Sequence, residues 1–114
     1  MNGEQLTLLN TSILTSFGTF IYQPLALGEA RALVQKFRLE GKLIQSAIGH
    51  QTTADLLAGL LGYPVAVNRT EFKQTVGTVA LVFKLKGRPP EGKVLSREEL
   101  EEMGYEFGLL QRVK

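Results

Sequence analysis

What the chain lacks narrows its chemistry first. Its 114 residues include no cysteine and no tryptophan, one histidine and one aspartate. Without cysteine there is no disulfide, no thiolate nucleophile and no cysteine-ligated zinc or iron. A zinc site or an aspartate-rich two-metal nuclease centre would have to be assembled from scattered glutamates, so no metal and no cofactor is expected. There is neither a Gly-x-Gly-x-x-Gly nor a Walker-type Gly-Lys-Ser, which argues against dinucleotide and P-loop nucleotide binding. Apolar runs fall well short of the roughly 18 residues of a membrane span. Glu4 stands close to the N-terminus, which lacks the form of a signal peptide. These absences lead to the expectation of a cytoplasmic protein with no membrane partner.

What is present is ordinary for a folded domain. Hydrophobic residues make up 44% and charged residues 21%, a balance that supports a core and argues against disorder. The length suits one domain spanning residues 1–114. The net charge is only +2, but Lys84, Lys86, Arg88 and Lys93 lie close together in the sequence. Such a local positive field favours a small anionic ligand over long nucleic acid.

Taken in order, Gln5 to Leu9 is β-prone and runs into the polar turn Asn10-Thr11-Ser12. Gly18 to Gln23 reads as a second strand closed by Pro24. Leu27, Ala30, Leu33, Val34 and Phe37 recur at helical spacing over 27–39, with Gly41 as the stop and Arg31, Gln35, Lys36 and Arg38 on the solvated face. Leu43 to Ile48 is a strand, after which Gly49 allows a sharp turn into a helix beginning near Gln51. That helix turns Ala54, Leu57, Ala58, Leu60 and Leu61 to a core and ends at Gly62 and Pro64. Val65 to Phe72 and Thr78 to Leu85 read as a hairpin joined through the turn at Gly77. Lys86 to Lys93 is a loop, with Pro89 and Pro90 at its centre. Ser96 and Glu99 form a capping box for a third helix, and Tyr105 to Val113 is a last strand. The aromatics Phe17, Phe20, Tyr22, Phe72, Phe83, Tyr105 and Phe107 are expected in the core rather than as base-stacking platforms. The fold class that follows is α/β, a mixed β-sheet with packed helices, its edges completed by a second copy in a homodimer.

The one histidine stands at the start of the second helix, in Ser46-Ala47-Ile48-Gly49-His50-Gln51-Thr52-Thr53. Histidine both gives and takes a proton near neutrality, and helix N-termini attract phosphate through unpaired N–H groups. A Ser-His-Asp triad would have to use His50 and Asp55, five residues apart on one helix and on different faces. Cleaving RNA without a metal needs an in-line 2′-hydroxyl, a cation for the charged transition state and an acid for the leaving 5′-oxygen. His50 can be the acid and Arg88 or Arg69 the cation. Glu91 can orient His50, raise its pKa, or act as a base. A lone histidine capping a helix is also a common structural device, so this constellation alone does not separate the two readings.

Four motifs read together do separate them. Leu8-Leu9-Asn10-Thr11-Ser12, Ala47-Ile48-Gly49-His50-Gln51-Thr52-Thr53, Asn68-Arg69 and Arg88-Pro89-Pro90-Glu91-Gly92-Lys93-Val94-Leu95-Ser96 occur in an order and spacing that resembles the viral ring nucleases. These are small anti-CRISPR proteins with cellular relatives at type III CRISPR loci. The resemblance spans nearly the whole chain and implies a dimeric α/β fold. It also implies metal-free cleavage of cyclic tetra-adenylate, the second messenger of type III CRISPR defence, to linear di-adenylates ending in 2′,3′-cyclic phosphate. By this resemblance His50 is the catalytic acid, Glu91 an assisting carboxylate and Arg88 a phosphate-contacting arginine. Asn10, Ser12, Gly49, Thr52, Arg69 and Lys93 are then ligand contacts, with Thr11 an alternative to Ser12. Thr52 stands where relatives often have serine, and the double proline departs from the more acidic loop of some members. The rival expectation is a binding protein for a cyclic nucleotide or nucleic acid that turns nothing over.

Overall fold

The computed structural model describes residues 5–10, 16–70, 72–87 and 95–114. Among them the elements run β1 (Gln5–Leu9), β2 (Phe20–Leu25), α1 (Leu27–Leu39), β3 (Leu43–Ser46), α2 (Gln51–Leu61), β4 (Val79–Leu85), α3 (Arg97–Met103) and β5 (Tyr105–Arg112). The five strands form one sheet in the order β2-β5-β4-β1-β3. β1 runs parallel to both β3 and β4, while β5 runs antiparallel to β4 and β2. Parallel strands need cover on both faces. Accordingly Leu6, Thr7, Leu8 and Leu9 of β1 and Val79 to Phe83 of β4 are all buried.

The period of two along a strand sorts these side chains into two unequal cores. Leu6, Leu8, Val79, Leu81, Phe83 and Phe107 pack under the helices with Ala30, Val34, Phe37, Leu57 and Leu60. On the opposite face Leu9, Ala80, Val82 and Leu110 form a smaller cluster, covered by Phe20, Ala47 and Phe72 instead of by a helix.

The helices start and stop where local chemistry directs. The Glu29 carboxylate accepts from the Ala26 N–H at 2.8 Å, closing the first turn of α1. Gly62, at φ +65°, ends α2 in the left-handed region and donates its N–H to Ala58 O at 2.9 Å. Ser96 Oγ accepts from Glu99 N–H at 3.2 Å and Glu99 Oε1 from Ser96 N–H at 3.1 Å, the full capping box of α3. Arg31 does more than solvate α1, since its Nε donates to Leu60 O at 2.6 Å and caps a carbonyl in the last turn of α2.

Several expectations are corrected. Residues 65–70 and 72–75 form no strand, because both edges of β4 are taken by β1 and β5 and the hairpin has no place to form. The segment instead crosses the helix-free face of the sheet, where Phe72 covers the smaller core. Arg69 is therefore not a strand residue. β2 runs on through Pro24 to Leu25, which an edge strand tolerates because only one side of it is paired. β3 ends at Ser46 rather than Ile48. Of the aromatics expected in the core, Phe83 and Phe107 are buried, whereas Phe17 and Tyr22 are exposed.

The far end of β5 is tied down by one guanidinium. Arg112 donates to Gln74 O at 2.7 Å, Phe17 O at 2.9 Å and Lys114 O at 3.3 Å, joining three separate stretches of chain.

Candidate functional site

Because β1, β3 and β4 are parallel, their C-terminal ends lie along one margin of the sheet, the place where open α/β sheets receive ligands. Asn10 follows β1 there. β3 is held beside β1 for one residue beyond its end by the bond from Ala47 N–H to Leu8 O, 3.0 Å. The turn is then tightened by Ser46 Oγ, which accepts from Ile48 N–H at 3.1 Å. Ile48, fully buried, pins this link to the core. The next two residues are therefore presented at the margin.

Gly49 and His50 come next. His50 is the N-cap of α2, in extended backbone, and its carbonyl accepts the first helical bond from Ala54 N–H at 3.0 Å. Its side chain makes no capping bond and is exposed. The imidazole is thus not spent on the helix it opens. Asp55 is engaged elsewhere, accepting from Gln51 Nε2 at 2.7 Å on the helix surface, as expected of two residues on one helix face. Thr52, in the first turn of α2, is half-buried.

The segment after α2 delivers a cation to the same place. Asn68 N–H donates to Ile48 O at 2.8 Å, and Asn68 Nδ2 donates to Ser46 O at 2.8 Å, so one residue brackets the β3–α2 link on both sides of Ala47. Arg69 is thereby laid along Gly49, with its Cβ, Cγ and Nε each 3.6 Å from the point a Gly49 side chain would occupy. Arg69 is exposed, and among the described residues it has no ion-pair or hydrogen-bond partner. A guanidinium held beside helix-start N–H groups, with its donors uncommitted, is chemically suited to a phosphate.

Of the nine residues expected at the site, Asn10, Gly49, His50, Thr52 and Arg69 are thus brought to one margin. Ser12, Arg88, Glu91 and Lys93, with Thr11, lie outside the described residues. The chain on either side of 88–94 is anchored. Lys86 N–H donates to Gly104 O at 2.9 Å, Gly87 abuts the Met103 side chain, and Leu95 is buried in the main core. Among the described residues no three His, Asp or Glu side chains are grouped to hold a metal ion, and no helix is long and apolar enough to cross a membrane. Sequence reasoning gave no role to Asn68 itself. A short amide after a β-prone pair is a weak signal, and only the fold reveals what it binds.

A family model described as STIV B116-like matches residues 6–107. The chain belongs to the STIV B116-like family. Protein YddF of Bacillus subtilis (strain 168) is 32% identical over 109 residues, covering 96% of this chain and 98% of that protein. ORF117 of Acidianus two-tailed virus is 37% identical over 113 residues, covering 96% and 94%. Among solved structures, B116 of Sulfolobus turreted icosahedral virus superposes with a TM-score of 0.79 at 30% identity, covering 96% of this chain and all of that one. The family therefore has members in both viruses and a bacterium, and the α/β architecture is common to this chain and B116.

Proposed function

We propose that this STIV B116-like protein is a metal-independent ring nuclease that cleaves cyclic tetra-adenylate and so silences the type III CRISPR signal. The observation that carries the reading is the placing, at the strand-end margin, of an exposed His50 and of an exposed Arg69 that lies along the neighbouring Gly49, neither side chain having a hydrogen-bond or ion-pair partner among the described residues. The resemblance to ring nucleases over the four motifs supplies the substrate.

In the reaction the ribose 2′-oxygen attacks the adjacent phosphorus and the bond from phosphorus to the 5′-oxygen breaks. The 2′-hydroxyl proton passes to a base, for which Glu91 or water serves, and the leaving 5′-oxygen takes a proton from His50. Arg69 and Arg88 balance the charge that builds on the phosphoryl oxygens. Asn10, Ser12, Thr52 and Lys93 hold the ring, and Gly49 keeps the backbone close to it. Working as a homodimer, the protein meets a ring of matching two-fold symmetry with two equivalent sites, so that two cuts yield two linear di-adenylates with 2′,3′-cyclic phosphate ends.

Incubating the protein with cyclic tetra-adenylate in excess EDTA is the direct test. Linear di-adenylates are the expected product, and an intact ring refutes the enzyme. Tight binding of a ring that stays intact, unaffected by His50→Ala, establishes the rival reading of a sequestering protein.

A further inference from the structure

The margin of the sheet opposite His50 and Arg69 gathers most of the large apolar side chains that the fold leaves in water. It is formed by the N-terminal ends of β1, β3 and β4, where Gln5 pairs with Leu43 and Leu6 with Val79. The C-terminal end of β5 and the start of β2 lie beside them, since Val79 pairs with Gln111 and Phe20 with Arg112. α1 also ends there, because Leu39 leads into β3. Leu39, 83% exposed, and Leu43 mark the β3 end, Val76 the approach to β4, and Val113 and the fully exposed Phe17 the β2–β5 end. Backbone bonds hold these stretches together, with Gly77 N–H donating to Arg112 O at 2.8 Å and Val113 N–H to Thr19 O at 2.9 Å, while the Arg112 side chain donates to Phe17 O. We propose that this margin is a peripheral docking surface for an anionic lipid bilayer.

The charges favour that occupant. Cations are chain neighbours of the apolar anchors: Arg38 precedes Leu39, Lys42 precedes Leu43, and Arg112 and Lys114 flank Val113. Arg112 spends its donors on neutral carbonyls, so its charge is kept. Glu40, which follows Leu39, is offset by Lys42 in an ion pair of 3.2 Å. The carboxylates of Glu29, in the first turn of α1, and of Glu106, paired across the sheet with Lys84, belong to the opposite end of the strands. Each basic side chain held near an anionic bilayer adds to its attraction, and inserted apolar side chains add theirs.

The spacing favours it too. Neighbouring strands lie about 4.8 Å apart, so the margin from β2 to β3 is about 19 Å wide. Apolar side chains set out singly over that width suit separate insertion between lipid headgroups, whereas a protein partner buries a close-packed apolar centre. Such docking needs no spanning helix, so the short apolar runs of the sequence do not oppose it. It also turns the strand-end margin, about 17 Å away along the five residues of β1, toward water.

The test is co-sedimentation of the full chain with vesicles of equal parts phosphatidylcholine and phosphatidylglycerol, and with vesicles of phosphatidylcholine alone. Binding to the mixed vesicles is expected, falling as salt is raised, with far weaker binding to the neutral ones. Phe17→Ser and Leu39→Ser, which touch no core, are each expected to weaken it about tenfold or more, and Arg38→Gln roughly fivefold. Val67→Ser, an exposed apolar residue beside Asn68 at the other margin, should leave it unchanged. Melting midpoints check that each variant folds. No binding to the mixed vesicles, equal binding to the neutral ones, or binding that survives the Phe17 and Leu39 substitutions overturns the proposal. So does an oligomer that these substitutions dissociate in the absence of vesicle binding, which would make the margin a contact between copies.

Discussion

Three residues at the strand-end margin make separable predictions. Loss of a general acid costs roughly 10²-fold or more in rate, so His50→Ala should cut ring turnover by that order, measured by single-turnover product analysis, while ring affinity stays nearly unchanged. Asn68→Ala removes the side-chain bond to Ser46 O but keeps the backbone bond to Ile48 O. The expected loss of stability is about 1 kcal/mol, the net worth of one hydrogen bond, read from a denaturant midpoint. Ring affinity should fall with it, because Arg69 loses half of what seats it. Gly49→Ala is a control of opposite sense. Its new methyl would meet Arg69 at an ordinary 3.6 Å, so stability should change by less than about 0.5 kcal/mol.

Among the elements, the helices were far more legible than the crossing segment, and the reason is physical. α1 and α2 repeat apolar residues at the helical period and carry their stop signals within the same stretch, so their bounds follow from local chemistry alone. The Ser96–Glu99 box sets the start of α3 in the same way, and Ser96→Ala should lower the melting midpoint by an amount equivalent to about 1 kcal/mol. Val65 to Phe72 has every local mark of a strand. Whether such a run pairs depends on a free edge, and β1, distant in sequence, had already taken the one it needed. The same long-range dependence hid the brace made by Asn68 and the cap that Arg31 gives α2. His50 was legible as the opening of a helix, yet its freedom from capping is a property of the folded turn. Gln74 was invisible for the same reason. Buried after the crossing segment, it donates to Thr78 O at 2.9 Å and Leu110 O at 2.8 Å.

At the scale of the molecule, the ends of the pH range probe the antiparallel side of the sheet. Tyr105 titrates above its ordinary value of 10.0, chiefly because burial disfavours the phenolate and secondarily because Glu101 stands beside it. A raised value in the folded state means that its contribution is complete below the ordinary value and is lost as pH rises through the folded one. Melting curves of wild type and Tyr105→Phe should therefore diverge above pH ~10, the wild type losing more. The apolar cover of the two faces is unequal, with helices on one and the crossing segment on the other. Sedimentation across a concentration series tests whether a second copy completes the assembly; a monomer that still cuts the ring would remove the symmetric two-site reaction.

The parallel seat of β1 also dictates when the site can exist. Its partners are remote along the chain: Gln5 meets Leu43, and Leu6 meets Val79. Closing such loops costs entropy that is recovered only when β4 docks beside β1. During synthesis the margin bearing Asn10, His50 and Arg69 therefore has no scaffold until the residues of β4 have left the ribosome. A nascent chain stalled short of Val79 should show no protected amides in β1, and exchange protection there should arise in one step once β4 is complete.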